Sequence, residues 1–155
     1  MGDRMGNYGT YPRSLDSRYR VSVPAKFKDN FGDRFFIVLG FDNVIEMWTE
    51  SDFRIYTQKL DQSNYLDAAA TKFKRAFYQR SSEVEVDAKG RFVIPENFIK
   101  KSAIKKDVVF IGAGSKVEIW SSESQEEFDS MMDDSAYSEA AKAVFENEVE
   151  KSKEK

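Results

Sequence analysis

The sequence predicts an α+β fold made of a duplicated β-β-α-β-β-α unit closed by acidic helices. Three observations carry this expectation. The first is a repeat: Leu15-Asp16-Ser17-Arg18-Tyr19-Arg20-Val21-Ser22-Val23-Pro24 returns 71 residues later as Val86-Asp87-Ala88-Lys89-Gly90-Arg91-Phe92-Val93-Ile94-Pro95. Phe27 matches Phe98, and after a one-residue slip Gly40, Glu46 and Trp48 match Gly112, Glu118 and Trp120. Self-similarity over that distance marks a duplicated unit. The second is the hydrophobic pattern, which alternates between short strand-like runs and helical spacing. The third is charge segregation, with basic residues early and acidic residues late.

Taken in order, Met1 to Tyr8 is polar and reads as a loose leader. Tyr11 to Leu15 and Arg20 to Val23 read as strands, with Asp16 to Tyr19 turning between them. Pro24 suits the first turn of a short helix, Ala25 to Phe31. Phe35 to Leu39 is an apolar run short enough for a buried strand, and Gly40 to Asn43 turns it into Val44 to Trp48. Thr49 with Asp52 fits a capping box that opens a helix from Ser51 to Leu60. A second helix, Tyr65 to Gln79, spaces Leu66, Ala69, Ala70, Phe73 and Phe77 along one face. Copy two repeats the plan from Glu83, with its hairpin at Val108 to Trp120 and a capping box at Ser122 and Gln125. One or two acidic helices follow between Glu123 and Val149. The expected organisation is a first repeat at 9–62, a joining helix at 63–81, a second repeat at 82–121 and a helical segment at 122–150.

The chain has 155 residues, of which 41% are hydrophobic, thirteen of them Phe. That suffices for one core, whereas a copy of about 70 residues would be marginal alone, so the copies are expected to pack together. With no Cys and no His, disulfides, thiolate metal sites and the usual general base are excluded. No catalytic residues, metal or cofactor are expected. No apolar run approaches about twenty residues and no signal-peptide core is present, so a soluble cytoplasmic protein is expected, with no membrane partner.

The net charge of −3 hides an asymmetry: residues 1–28 carry +4, and the chain from Ser122 carries −7. A nucleic-acid footprint is local, so the basic part is the informative one. In each Asp-x-x-x-Arg turn, Asp16 or Asp87 can accept backbone N–H bonds and organise the loop. Arg20 or Arg91 can close onto that Asp or point outward. An ion pair bracing the turn and a cation reaching phosphates or guanine edges are both open, and the two can coexist. Arg13, Arg18 and Lys89 have no local acid to neutralise them and favour the binding role. Gly90 suits a left-handed backbone at no steric cost. Tyr19 at the matching place is unusual for that role, which predicts a differently shaped first loop. Its aromatic ring at a loop tip could instead lean on a sugar or a base.

Glu83, Glu85 and Asp87 share a strand face but have no counterpart in copy one, so they read as a charged outer face. Gly112-Ala113-Gly114 precedes a strand and reads as a hairpin turn, not a dinucleotide loop. Lys72 to Arg80 reads as a Phe core stripe with a basic rim that could widen a DNA-facing surface. Trp48 and Trp120 read as core or interface anchors.

Three stretches resemble the MraZ family of bacterial transcriptional regulators, whose members carry two AbrB-like swapped-hairpin units forming a double-split barrel. They are Gly9-x-Tyr11-x-x-x-Leu15-Asp16-x-x-x-Arg20-x-x-x-Pro24-Ala25-Lys26-Phe27, Val86-Asp87-x-Lys89-Gly90-Arg91-x-x-Ile94-Pro95, and Val108-x-x-Ile111-Gly112 leading to Val117-Glu118-Ile119-Trp120. The resemblance spans Gly9 to Val149. It implies a nucleoid-associated regulator of the division and cell-wall gene cluster that binds promoter double-stranded DNA at short G-rich direct repeats and takes no small-molecule substrate. It also implies a homo-oligomeric ring of about eight or more subunits with the loops arrayed on one side. Arg20 and Arg91 become the leading DNA contacts, with Lys89 beside them. Arg13, where many relatives have His, and Arg18-Tyr19, in place of Lys-Gly, depart from the pattern and bear on the preferred base sequence. Copy one is the more basic loop and is expected to do more of the reading. The alternative is an AbrB-fold protein-interaction module of antitoxin-like character, which the acidic helices favour.

Overall fold

Each Asp-x-x-x-Arg turn joins two strands that do not pair with one another. A computed structural model of the chain describes residues 6–63 and 66–153, with side chains described as far as residue 146. Copy one runs β1 (Thr10–Ser14), β2 (Arg20–Ser22), α1 (Ala25–Phe31), β3 (Arg34–Leu39), β4 (Ile45–Thr49), α2 (Glu50–Asp61) and α3 (Ala68–Gln79). Copy two follows with β5 (Ser81–Glu85), β6 (Arg91–Val93), α4 (Glu96–Lys101), β7 (Asp107–Ala113), β8 (Lys116–Ser121), α5 (Ser122–Met131) and α6 (Asp134–Lys153). The duplicated α+β plan is therefore present. Tyr65, the expected start of α3, lies outside the described residues. Leu66 and Asp67 precede the helix instead of joining it, because the Asp67 side chain accepts the Ala69 N–H and caps α3 at Ala68. The acidic end forms two helices. The chain divides into two compact units, residues 1–122 and 123–155.

The copies are interleaved. In the six-stranded sheet, ordered β1-β7-β8-β4-β3-β5, the first strand of each copy lies against the hairpin of the other. β1 pairs antiparallel with β7, aligning Thr10 with Ile111, and β5 pairs antiparallel with β3, aligning Arg34 with Glu85. β2 and β6 form a separate antiparallel ribbon centred on Val21 opposite Phe92.

Side chains alternate across the sheet, and each face has its own filling. On one face Phe35, Ile37, Ile45, Met47, Phe110 and Ile119 join Val21, Phe27, Phe92 and Phe98 in a core drawn from both copies. The Phe35 and Phe92 rings meet edge to face at 5.2 Å. On the other face Val38, Trp48, Phe53 and Phe77 bury α2 and α3 against the sheet, with Phe36 stacked on Phe53 at 3.8 Å. Thr49 caps α2, its hydroxyl accepting the Asp52 N–H at 3.1 Å. α5 begins at Ser122 itself, which moves the capping position one residue upstream of the expected Ser122.

The leader expectation needs correction for the residues described. Met1 to Met5 lie outside them, but Asn7 is buried and its Nδ2 donates to the Gly114 carbonyl at 2.8 Å. Its Oδ1 accepts from Asn30 at 2.9 Å. An Asn with two such partners is anchored despite its polarity. The segment crosses Gly112 so closely that a Cβ there would collide with the backbone of Asn7 and Tyr8. Gly112→Ala is expected to lose about 1–3 kcal/mol in urea denaturation by prising Asn7 from its buried partners. No loss would mean that the segment is not held there.

Candidate nucleic-acid interface

Both loops are built round one carboxylate. Asp16 Oδ1 accepts the N–H groups of Arg18 and Arg20, each at 2.9 Å, while Oδ2 accepts Arg20 Nε at 2.7 Å. The Asp16 carbonyl accepts the Tyr19 N–H at 3.0 Å, closing the turn. Copy two repeats the scheme: Asp87 Oδ1 accepts Lys89 and Arg91 N–H at 2.9 Å, and Oδ2 accepts Arg91 Nε at 3.0 Å. Its carbonyl accepts the Gly90 N–H at 3.0 Å. Two acceptor oxygens on a short side chain serve the loop backbone and the guanidinium together, which an amide cannot do because its nitrogen accepts nothing.

The first expectation about loop shape was wrong. Tyr19 has φ 61° and Gly90 φ 79°, so the tyrosine occupies the same left-handed position as its glycine counterpart. The reciprocal bonds agree, with Val23 N–H donating to the Gly90 carbonyl and Ile94 N–H to the Tyr19 carbonyl, both at 3.0 Å. Holding an L-residue there costs about 1–2 kcal/mol, which the loop's hydrogen bonds offset.

These bonds set the acid behaviour of the carboxylates. The Arg20 backbone N–H first, then the Arg20 guanidinium and the Arg18 N–H, hold Asp16 down at about 2 from an ordinary 3.8, against partial burial, which raises it. Asp87 is lowered in the same way, led by the Arg91 backbone N–H. A folded-state pKa below the unfolded one contributes stability in full above about pH 4, and the contribution fades as pH falls toward 2. The thermal midpoint of the protein is thus expected to fall through that window. Asp16→Asn should show a lower midpoint at neutral pH and a shallower fall. Equal slopes for the two proteins would show that Asp16 carries no such linkage.

The loops converge on the β2–β6 ribbon. With Val21 and Phe92 buried beneath, the outward face carries Arg20 and Ser22 from one copy and Arg91 and Val93 from the other. Arg91 Nη1 also approaches Asp16 Oδ2 at 4.0 Å, linking the copies. The bracing ion pairs exist, yet Arg20 is held through Nε, and among the described residues its two Nη groups carry no hydrogen bond. Arg18 and Lys89 are exposed on the loops and have no carboxylate partner among the described residues. Arg13 stands on β1, half-buried, and donates to the Pro12 carbonyl at 2.7 Å; no hydrogen bond or ion pair joins it to the loop carboxylates.

One cation was not legible in the sequence. Lys28, exposed on α1, lies over loop two, its Nζ 3.0 Å from where a Cβ on Gly90 would stand. With Lys89, and with Asp33 and Asp87 as the acidic members, it lines a cavity of 310 Å³. The pointer is the repeat itself: Lys28 follows Phe27, the partner of Phe98, on the helix that carries Phe27 into the shared core. By contrast, Arg80 from the basic 72–80 stretch is occupied structurally, its Nε donating to the Leu39 carbonyl at 2.8 Å and Nη2 to Gly40 at 2.9 Å. Lys74 pairs with Asp61 at 3.3 Å. An apolar groove of 530 Å³ beside α2 and α3, lined by Trp48, Tyr56, Phe73 and Phe77, includes none of the loop residues. Among the described residues no cluster of three Asp or Glu is poised to hold a metal ion, and no helix is long and apolar enough to cross a membrane.

Fold and site together define a class: a duplicated α+β protein whose two copies interleave their strands and bring matched Asp–Arg loops to one exposed ribbon. The family model described as "MraZ protein, putative antitoxin-like" matches residues 8–76 and again 77–147. Relatives named "Transcriptional regulator MraZ" include that of Mycoplasmopsis pulmonis, 40% identical over 94% of this chain and 99% of its own length. Those of Natranaerobius thermophilus, 38% identical over 92% of this chain and 93% of that protein, and Alkaliphilus oremlandii, 35% over 89% and 96%, match similarly. The chain belongs to the MraZ family.

Proposed function

We propose that the protein is a DNA-binding transcriptional regulator, not an enzyme, working in the cytoplasm on the nucleoid. The observation that carries this reading is the β2–β6 ribbon, which puts Arg20 and Arg91 on one outward face, diagonal to each other across the two strands, with the cations Arg18 and Lys89 on the adjoining loops and Lys28 on α1. A two-stranded ribbon fits the major groove, where paired Arg N–H groups match guanine O6 and N7 and flanking cations meet phosphates. Prior anchoring of Arg20 and Arg91 on Asp16 and Asp87 limits the side-chain entropy lost on contact. The names of the relatives agree with this reading.

The target is short G-rich direct repeats in the promoter of the division and cell-wall gene cluster, and the active form is a homo-oligomeric ring with its loops on one side. Weak single contacts then add through effective concentration. Titrating a G-repeat promoter duplex at several salt concentrations tests the reading. Affinity is expected to fall steeply with salt, and Arg18→Ala/Lys89→Ala is expected to reduce the log–log slope by about two per bound subunit. An unchanged slope with unchanged affinity would exclude the loops as the interface. A second reading, an antitoxin-like protein-interaction module, is favoured by the acidic α5 and α6, where Phe128, Met131, Tyr137 and Phe145 are exposed. Stoichiometric co-purification with a partner protein, and no gel shift at low salt, would select it.

A further inference from the structure

Resting on the DNA-binding reading, we propose that Tyr19 is a base-reading residue. Its ring packs against a thymine methyl in the major groove, so the two loops read different bases through one shared backbone frame. Four non-glycine residues among those described have positive φ: Tyr19, Asp42, Asn43 and Ala103. Asp and Asn tolerate that region by bonding locally, and Ala103 is a small residue just past the end of α4. Tyr19 is the bulky one, and the copy-two position shows that glycine builds the same loop.

Among the described residues no ring contact or hydroxyl hydrogen bond accounts for the tyrosine side chain. It is 44% exposed, takes part in none of the ring–ring contacts, and its hydroxyl has no hydrogen-bond partner among the described residues. A strained position kept with a half-exposed ring and neither a ring contact nor a hydroxyl hydrogen bond among the described residues points to an external contact. The neighbours say what kind. Arg18 and Arg20 flank it, and Arg20 lies on the ribbon face proposed to enter the groove. The apolar group that B-DNA offers there is the thymine C5-methyl. At the matching point of loop two, Gly90 offers no side chain and the Lys28 ammonium stands there instead. A cation at that place suits a phosphate, so loop two lacks the apolar reader.

The test uses the full chain and a randomised double-stranded DNA pool. Wild-type protein selects duplexes, and the best is remade with each thymine in turn replaced by uracil, which removes only the methyl. At one position the replacement is expected to weaken wild-type binding about fourfold, the worth of one buried methyl. Tyr19→Gly should bind the thymine duplex roughly tenfold more weakly and be indifferent to uracil there, while Tyr19→Phe stays sensitive. Because glycine suits the backbone, the melting midpoint of Tyr19→Gly should not fall, which separates lost contact from lost fold. Lys28→Ala should weaken both duplexes equally and lower the salt slope by about one. Uracil sensitivity retained in Tyr19→Gly, or found at no position, overturns the assignment while leaving the DNA-binding reading standing. Failure of the wild type to enrich any duplex overturns both.

Discussion

Phe92→Ala is expected to lower the unfolding free energy by about 4 kcal/mol. Phe92 is 2% exposed, sits at the centre of the β2–β6 ribbon and meets the fully buried Phe35 ring of the other copy. Truncation removes a ring from a core that cannot collapse, because that core is walled by the six-stranded sheet on one side and α1 and α4 carry Phe27 and Phe98 into it. The loss should appear in both copies at once. The chain has two tryptophans, Trp48 in copy one and Trp120 in copy two, so Trp48→Phe and Trp120→Phe backgrounds report each copy by fluorescence. Coincident midpoints, both shifted down by roughly 10–20 °C, are expected. Separate transitions, or a shift confined to copy two, would mean that the copies fold independently and that the shared core contributes little. Phe36→Ala makes a useful contrast: its ring stacks on Phe53 at the sheet's other face, is only partly buried, and should cost less.

What the sequence could show followed from how local each feature is. The Asp16 and Asp87 turns were legible because each carboxylate's hydrogen bonds fall within four residues, so spacing alone places carboxylate, backbone N–H and guanidinium together. The partners of β1 and β5 were not, because two copies with matching apolar patterns can pair within a copy or across copies at equal local cost. Only the three-dimensional closure of the shared core decides. Lys28 escaped for the same reason: it lies 62 residues from Gly90, and their contact exists only because the copies interleave. Tyr19 was misjudged through intrinsic preference, which favours glycine at positive φ but yields to a loop whose hydrogen bonds are otherwise complete. Arg80 looked like part of a basic rim because its count of charges was visible, whereas the strand-end carbonyls it satisfies were not.

The same geometry sets the expected result for Arg20→Ala. Arg20 Nε is fixed on Asp16 at 2.7 Å, so its two Nη groups are aimed without further ordering. One bidentate guanine contact is worth about 1–3 kcal/mol, and its loss should weaken binding to a single-repeat duplex roughly tenfold. On a duplex with several repeats each engaged subunit loses its own contact, so the loss multiplies to a hundredfold or more, roughly tenfold for each repeat engaged. Arg20→Lys keeps the charge but not the fork and should fall between wild type and Ala. Asp16→Ala keeps Arg20 but frees it and removes the loop's acceptors, so it should lose nearly as much. If Arg20→Ala weakened single- and multiple-repeat duplexes by the same factor, the loops would not be acting together on one assembly. If it weakened neither, Arg20 would be a brace for the turn and the DNA surface would have to be sought elsewhere on the chain.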